Sequence, residues 1–320
     1  MTSILLTGGA GFIGSHLAER LLDNGVRLTI IDDLNDFYSP AVKKQSLRQI
    51  AKCGSFRFVQ IDIGNLKGME KALSGEVYDV IIHLAARPGV RTSIDQPMLY
   101  ERVNVQGTLC LLELARRFKS HKFIFASSSS IYGTSSQIPF SENESHLNPI
   151  SPYGITKLAA ERCCYSFAHL HHIETVCLRF FTVYGPRQRP DLAIHKFARY
   201  IQKGKKISVF GDGSSVRDYT YVDDIVEGIL SALDLNVLFD TFNLGNANPI
   251  SLMEMIHLLE TQLGKKAHLC FQENQPGDLP LTHADLSKSR QILGYSPQVP
   301  FEKGLSRFVN WLESVDYIEC

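Results

Sequence analysis

The chain has no excess of either charge: Lys and Arg number 33, Asp and Glu 33. A balance of this kind offers no basic face to nucleic acid or to an anionic bilayer. No apolar run approaches the roughly 18 residues that a membrane-spanning helix needs. The opening Met1-Thr2-Ser3-Ile4-Leu5-Leu6 lacks a cationic start and a cleavage site, and reads as a core strand. The seven cysteines are an odd number with no C-x-x-C pair. Adjacent Cys163 and Cys164 are too constrained for an ordinary disulfide. Reduced thiols and a cytoplasmic setting are therefore expected, and no metal. His169, His171 and His172 cluster at a polar helix end, where a solvated face is the plainer reading. Internal repeats and low-complexity stretches are also missing.

What is present is an ordinary globular composition, 44% hydrophobic over 320 residues, enough for a substantial core. Short apolar runs predict strands at Ser3–Leu6, Leu28–Ile31, Phe56–Gln60, Val80–His83, Lys122–Ala126 and Thr175–Phe181. Helical spacing connects them, at Phe12, Leu17, Leu21 and Leu22, over Tyr100–Phe118, and from Tyr153 to about His171. Asn35–Leu47 is polar, carries Pro40, and reads as an irregular insertion. Strands alternating with helices predict an α/β fold, a Rossmann-type doubly wound parallel sheet. After Gly185 the pattern loosens, with helices expected at Leu192–Gln202, Asp223–Leu235, Leu252–Gly264 and Phe301–Glu313. The expected division is a dinucleotide-binding domain over 1–184 and a smaller mixed lobe over 185–320, with some later segments returning to the first domain.

Three local patterns carry chemistry. Gly8-x-x-Gly11-x-x-Gly14 lies between the first strand and the first helix. Glycines there permit a tight turn and close approach of a pyrophosphate, which the amides and dipole of a helix N-terminus attract. Asp32 ends the next strand, placed to hold the adenosine ribose hydroxyls. With Asp33 beside it and no arginine following closely, it argues for NAD over NADP. Asp62, at the tip of the third strand, is placed to reach the adenine or to cap a turn. Tyr153 and Lys157 stand one helical turn apart on one face, where a cation favours the phenolate. A serine run, Ser127 to Ser130, ends the fifth strand.

These motifs occur together with Leu84-Ala85-Ala86, Asn104 and Arg217-Asp218-Tyr219, in an order that resembles the extended short-chain dehydrogenase/reductases. Within that family they are closest to the nucleotide-sugar epimerases of the UDP-glucuronate 4-epimerase type. The resemblance implies that Tyr153 is the acid/base, that Lys157 holds the nicotinamide ribose and lowers the tyrosine's pKa, and that Ser128 bridges the sugar hydroxyl. It implies NAD contacts from Phe12, Ile13, Ile63, Leu84, Ala85, Ala86, Asn104 and Phe180 beside the glycines and acids above. It implies a UDP-sugar gripped by Arg91, Ser127, Thr182, Arg189, Arg217 and Asp278, with Ser208 and Phe210 flanking the uracil. Family members that dehydrate or decarboxylate carry an acid where this chain has Ser129 and Ser130, so 4-epimerisation is the expected reaction. UDP-glucuronate is the expected sugar, UDP-glucose or UDP-N-acetylglucosamine the alternative, and a catalytically silent NAD-binding regulator the alternative of another class. A homodimer is expected through the Tyr100–Phe118 and Tyr153–His171 helices. The glucuronate enzymes carry Trp-Gly where this chain has Arg187-Gln188.

Overall fold

The computed structural model describes residues 2–134, 137–273, 277 and 279–315. Its strands are β1 (Ser3–Thr7), β2 (Arg27–Asp32), β3 (Arg57–Gln60), β4 (Val80–His83), β5 (Lys122–Ser128), β6 (Glu174–Phe180), β7 (Thr182–Tyr184), β8 (Lys206–Phe210), β9 (Val216–Tyr221), β10 (Phe239–Leu244), β11 (Pro249–Ser251) and β12 (His268–Gln272). The helices are α1 (Phe12–Asp23), α2 (Pro40–Cys53), α3 (Leu66–Ala72), α4 (Val90–Asp95), α5 (Pro97–Tyr100), α6 (Gly107–Phe118), α7 (Pro152–His171), α8 (Ala193–Gln202), α9 (Val222–Leu233), α10 (Leu252–Leu263) and α11 (Phe301–Ser314).

Seven strands form one sheet in the order β10-β6-β5-β4-β1-β2-β3, every neighbour parallel. They read as unbroken apolar runs because both faces are covered: Ile4, Leu5 and Leu6, and likewise Phe123, Ile124 and Phe125, are all buried. One face packs against Leu17 and Leu21 of α1, Ile50 of α2 and Ile225 and Ile229 of α9. The other packs against Met69 of α3, Leu111 and Leu114 of α6 and Ala160 and Cys164 of α7. Each such buried aliphatic side chain contributes roughly 1.5–3 kcal/mol. Strand order reverses between β1 and β4, so a crevice opens at their carboxyl ends. A third core gathers Ile194 and Phe197 of α8, Met255 and Leu259 of α10, and Phe308 and Leu312 of α11. It belongs to a smaller lobe with a β11-β9-β7 sheet and a parallel β12-β8 pair.

The structure corrects the sequence reading in two places. The supposed irregular insertion holds α2, because Pro40 occupies the helix's first turn, where a missing N–H costs nothing. The helix expected at Tyr100–Phe118 is interrupted by a wide-turn π segment, Glu101–Gln106, before α6. Such a bulge marks a local demand, here Asn104, whose side chain clasps both the N–H and the C=O of Arg87 at 2.8 and 3.0 Å. Beyond these, β10 joins the main sheet from far past residue 184, pairing with β6 from Phe239↔Thr175 to Leu244↔Phe180.

Candidate functional site

The glycine turn is shaped by what cannot fit in it. A Cβ on Gly14 would lie 2.2 Å from the Gly8 carbonyl oxygen, and one on Gly8, at φ +72°, would lie 2.7 Å from the Ala85 amide. Gly11 caps α1 with no side-chain acceptor, so the first-turn amides of Phe12, Ile13 and Gly14 are left to a groove that these residues line. The same groove is walled by Asp32, Asp33, Asp62, Ile63, Leu84, Ala85, Ala86, Ser127, Tyr153, Lys157 and Phe180. Of the expected cofactor contacts only Asn104 is absent from the wall. It is buried and acts through Arg87, and its amide also donates to Thr156 Oγ1.

Asp32 Oδ1 accepts from the Leu34 amide at 2.9 Å and from Lys43 Nζ at 3.1 Å. Lys43 also lies 3.7 Å from Asp33, so one buried cation faces both acids. Asp62 accepts from the Gly64 amide at 2.8 Å and stands 3.5 Å from Arg102, a turn cap that also lines the groove.

The Tyr153 helix begins where its sequence dictates. Ser151 caps it, accepting from the Gly154 amide at 3.1 Å, and Pro152 fills the first position. A Cβ on Gly154 would lie 2.6 Å from the Ser130 carbonyl, so only glycine lets this helix end press against the serine turn. That contact brings Tyr153 beside Ser128, whose hydroxyl draws the phenol's pKa down and also accepts from the Ser130 amide at 3.1 Å. Lys157 Nζ donates to the Ala126 carbonyl at 2.7 Å and lies 4.8 Å over the Phe125 ring. Burial pushes this ammonium down to about 8.

Burial raises the phenol's pKa above its ordinary value, and the groups that pull it back are the Ser128 hydroxyl and the Arg189 guanidinium. Arg189 is thus one cation that favours the phenolate. Arg189 is held by a two-pronged bond to Asp191 at 2.9 and 2.7 Å, and its guanidinium lies 5.3 Å from the Phe37 ring centre.

A second cleft opens beside the first and shares Tyr153, Ser127, Phe180 and Arg189 with it. Ser128, Ser129, Ser130, Thr182, Val183 and Arg217 line it as well. Three expected substrate contacts are outside its wall. Ser208 and Phe210 sit on β8, and Arg91 of α4 stacks its guanidinium 4.5 Å over the Phe210 ring. Asp278 lies outside the described residues. The sequence reading missed Phe37, Tyr38, Lys43 and Arg87, all lining the first groove. The signal for Lys43 was available: a proline-started helix directly after the Asp32-Asp33 tip turns its first lysine back toward the acids.

The residues fit a dinucleotide. The side-chain-free cradle at Gly8, Gly11 and Gly14 suits a pyrophosphate, and the acids at the tip of β2 suit a ribose. The Ser127 hydroxyl is buried at the junction of both clefts with no hydrogen-bond partner among the described residues, as a group meant for a ligand would be. Fold and site together define an enzyme of the extended short-chain dehydrogenase/reductase class, in which a nicotinamide cofactor lies beside a Ser-Tyr-Lys constellation. Residues 4–245 match the NAD dependent epimerase/dehydratase family. The chain is 41% identical, over 98% of each partner, to a UDP-glucuronate 4-epimerase of Thermodesulfobacterium geofontis. Among solved structures, the UDP-glucuronic acid 4-epimerase of Bacillus cereus with UDP-glucuronic acid and NAD superposes with a TM-score of 0.90 at 38% identity, covering 98% of this chain and 99% of that one. The UDP-glucose 4-epimerase of Thermotoga maritima with UDP-glucose does so with 0.90 at 32% identity and the same coverage. The chain belongs to the NAD dependent epimerase/dehydratase family, and its cofactor is NAD. Among the described residues no helix is long and apolar enough to cross a membrane, and no cluster of His, Cys, Asp and Glu could hold a metal ion.

Proposed function

We propose that the protein is an isomerase that interconverts the 4-epimers of a UDP-sugar, with UDP-glucuronate and UDP-galacturonate as its pair. The carrying observation is the chemistry of the second cleft. Its described wall holds seven hydroxyl side chains besides Tyr153, the cations Arg189 and Arg217, and no carboxylate. Dehydration or assisted decarboxylation needs an acid beside the sugar, and none is among these residues. A hydroxyl- and arginine-rich wall suits a substrate that is itself anionic.

In this reading Tyr153 takes the proton of the sugar's 4-hydroxyl while Ser128 holds that oxygen by hydrogen bonding. Held along the glycine turn and Asp32, NAD would supply a reversible hydride acceptor for C4 that can serve either face, so that no net redox change results. Tyr153 then returns the proton. Arg189 and Ser128 oppose the burial that would otherwise keep the phenol protonated. Lys157, anchored on the Ala126 carbonyl, is placed to hold the nicotinamide ribose. Between the two hydride transfers the 4-keto sugar must turn over. For glucuronate that species is a β-keto acid, prone to lose carbon dioxide, and Thr182 with the serine turn is suited to hold the carboxylate out of alignment. A Thr182→Ala variant is expected to release more carbon dioxide and pentose product per turnover; no increase would exclude that role.

The test of the proposal is direct: purified protein is incubated with UDP-glucuronate, UDP-glucose and UDP-N-acetylglucosamine, and the 4-epimers are separated. UDP-galacturonate is the expected product, and turnover of neutral sugars alone would exclude the acidic substrate. One observation favours the neutral reading, since Arg189 already has Asp191 as a bidentate partner. The likeness to the Thermotoga UDP-glucose enzyme supports the same alternative. A homodimer through α6 and α7 is supported by exposed Leu109 on the first and Ile155, Tyr165 and Leu170 on the second. The six described cysteines are free thiols, which suits the cytoplasm.

A further inference from the structure

Loop 185–191 joins the two clefts, carrying Arg189 between Gly185 and the start of α8. It is anchored in an unusual way. Arg187 adopts a left-handed backbone, φ +65°, which a non-glycine residue keeps only where its surroundings hold it. Its guanidinium makes a two-pronged bond to Glu19 of α1, Nη1 to Oε1 at 2.5 Å and Nη2 to Oε2 at 2.7 Å. His16, one turn earlier on α1, completes the contact: its Nε2 lies 3.2 Å from Arg187 Nε and 2.9 Å from the Pro186 carbonyl. The ion pair is largely shielded, with side chains 15% and 23% exposed. Gln188, next in the loop, is buried and bonded through its amide to the Val183 carbonyl at 3.2 Å. So the loop's outer side grips α1, while its inner side presents Arg189 to Tyr153. The N-terminal turn of α1 is the one that faces the cofactor groove, with Phe12 and Ile13 lining both clefts.

We propose that Glu19 and Arg187 are a positioning pair that ties the sugar-facing loop to the cofactor helix and thereby sets where Arg189 stands in the substrate cleft. This rests on the epimerase reading above for its kinetic consequence, but not for its structural one. Neither residue touches the reacting atoms. Both act through Arg189, Thr182 and Val183 at the cleft wall. His16 takes part as a neutral ring, kept so by burial and by the adjacent guanidinium, which push its pKa down to about 3. The double bond to Glu19 needs a planar, bidentate donor, so lysine in place of Arg187 would keep the charge and lose the geometry.

The test uses the full NAD-loaded protein and the variants Glu19→Gln, Arg187→Lys, and the exchanged pair Glu19→Arg with Arg187→Glu. Two measurements are made. Hydrogen exchange over 186–192 reads the tether alone; both single variants are expected to exchange there at least tenfold faster, with unchanged protection in β4 and β5. Epimerisation kinetics read its consequence; the single variants are expected to raise KM for the UDP-sugar five- to twentyfold while kcat changes less than threefold and NAD stays bound. The exchanged pair is expected to recover at least half of both effects. Exchange and KM both within twofold of the parent in the single variants would overturn the proposal. So would faster exchange without any change in KM, since the pair would then be a brace and nothing more. If the parent protein epimerises no UDP-sugar, the epimerase reading fails by that result. Exchange, together with the affinity for UDP alone, then decides the pair.

Discussion

Replacing Gly14 with alanine tests the cofactor site at its narrowest point. The added Cβ would lie 2.2 Å from the Gly8 carbonyl oxygen and 2.8 Å from Gly9 Cα, both backbone atoms that no rotamer change can clear. Ordinary contact begins near 3.4 Å, so the turn must open by more than 1 Å. A pyrophosphate bonded to amides at about 2.9 Å loses a bond that stretches so far. Each charge-assisted bond is worth roughly 1.5–3 kcal/mol, so losing one weakens NAD binding about 10- to 150-fold. Overpacking the turn should also cost about 1–3 kcal/mol of stability. The assay is equilibrium NAD binding to cofactor-stripped protein, with a thermal melt alongside. Gly54→Ala is the control: its backbone is extended, and a Cβ there meets only Leu22 at 3.5 Å or more, so both readouts should stay at the parent's values. A folded Gly14→Ala protein that binds NAD within threefold of the parent would refute the cradle.

The remaining expectations concern catalysis and stability. Tyr153→Phe should lower turnover by about 10²–10⁴ while leaving UDP-sugar affinity within a few-fold; retained turnover would remove Tyr153 from the chemistry. Arg189→Met removes a cation that favours the Tyr153 phenolate, so the rising limb of kcat/KM against pH should move to higher pH; an unmoved limb would show that Arg189 does not tune the phenol. Glu161→Gln strands the buried Arg179, which bonds Glu161 at 3.0 and 2.9 Å and the Tyr132 hydroxyl at 2.9 Å, and denaturant titration should show a loss of about 3–5 kcal/mol. His195 is held neutral by burial, its pKa pushed down to about 4, so the unfolded chain takes up its proton first as pH falls. Its contribution is intact above pH 6.5, declines toward pH 4, and amounts to about 2 kcal/mol lost at pH 5. A His195→Gln protein should lose less stability over that range, and identical pH profiles would contradict the assignment.

Most of the cofactor site was legible in the chain because its parts are local. Gly8, Gly11 and Gly14 occupy one turn, Asp32 ends the strand that follows, and Tyr153 and Lys157 are a helical pair, so backbone geometry alone brings each set together. The misreadings have equally local causes. Pro40 suggested a break where it starts α2, and the apolar spacing of Tyr100–Phe118 cannot reveal the extra residue of a π turn. Ser208 and Phe210 were placed by resemblance, and their positions depend on how β8 pairs with β12, a contact between segments some sixty residues apart.

By itself, then, the sequence determined the parallel sheet, the glycine cradle, the acid at the end of β2 and the helical pairing of Tyr153 with Lys157, since each follows from side-chain period or from a few adjacent residues. Only the tertiary structure decided that Arg189 shares both clefts with Tyr153, how Lys43 returns to Asp32, and that Glu19 and Arg187 join helix to loop. An arginine side chain is long and flexible enough to serve either Asp191 or a substrate. Which it does depends on how its loop is held, and that is settled by residues that are distant in the chain and adjacent only in the fold.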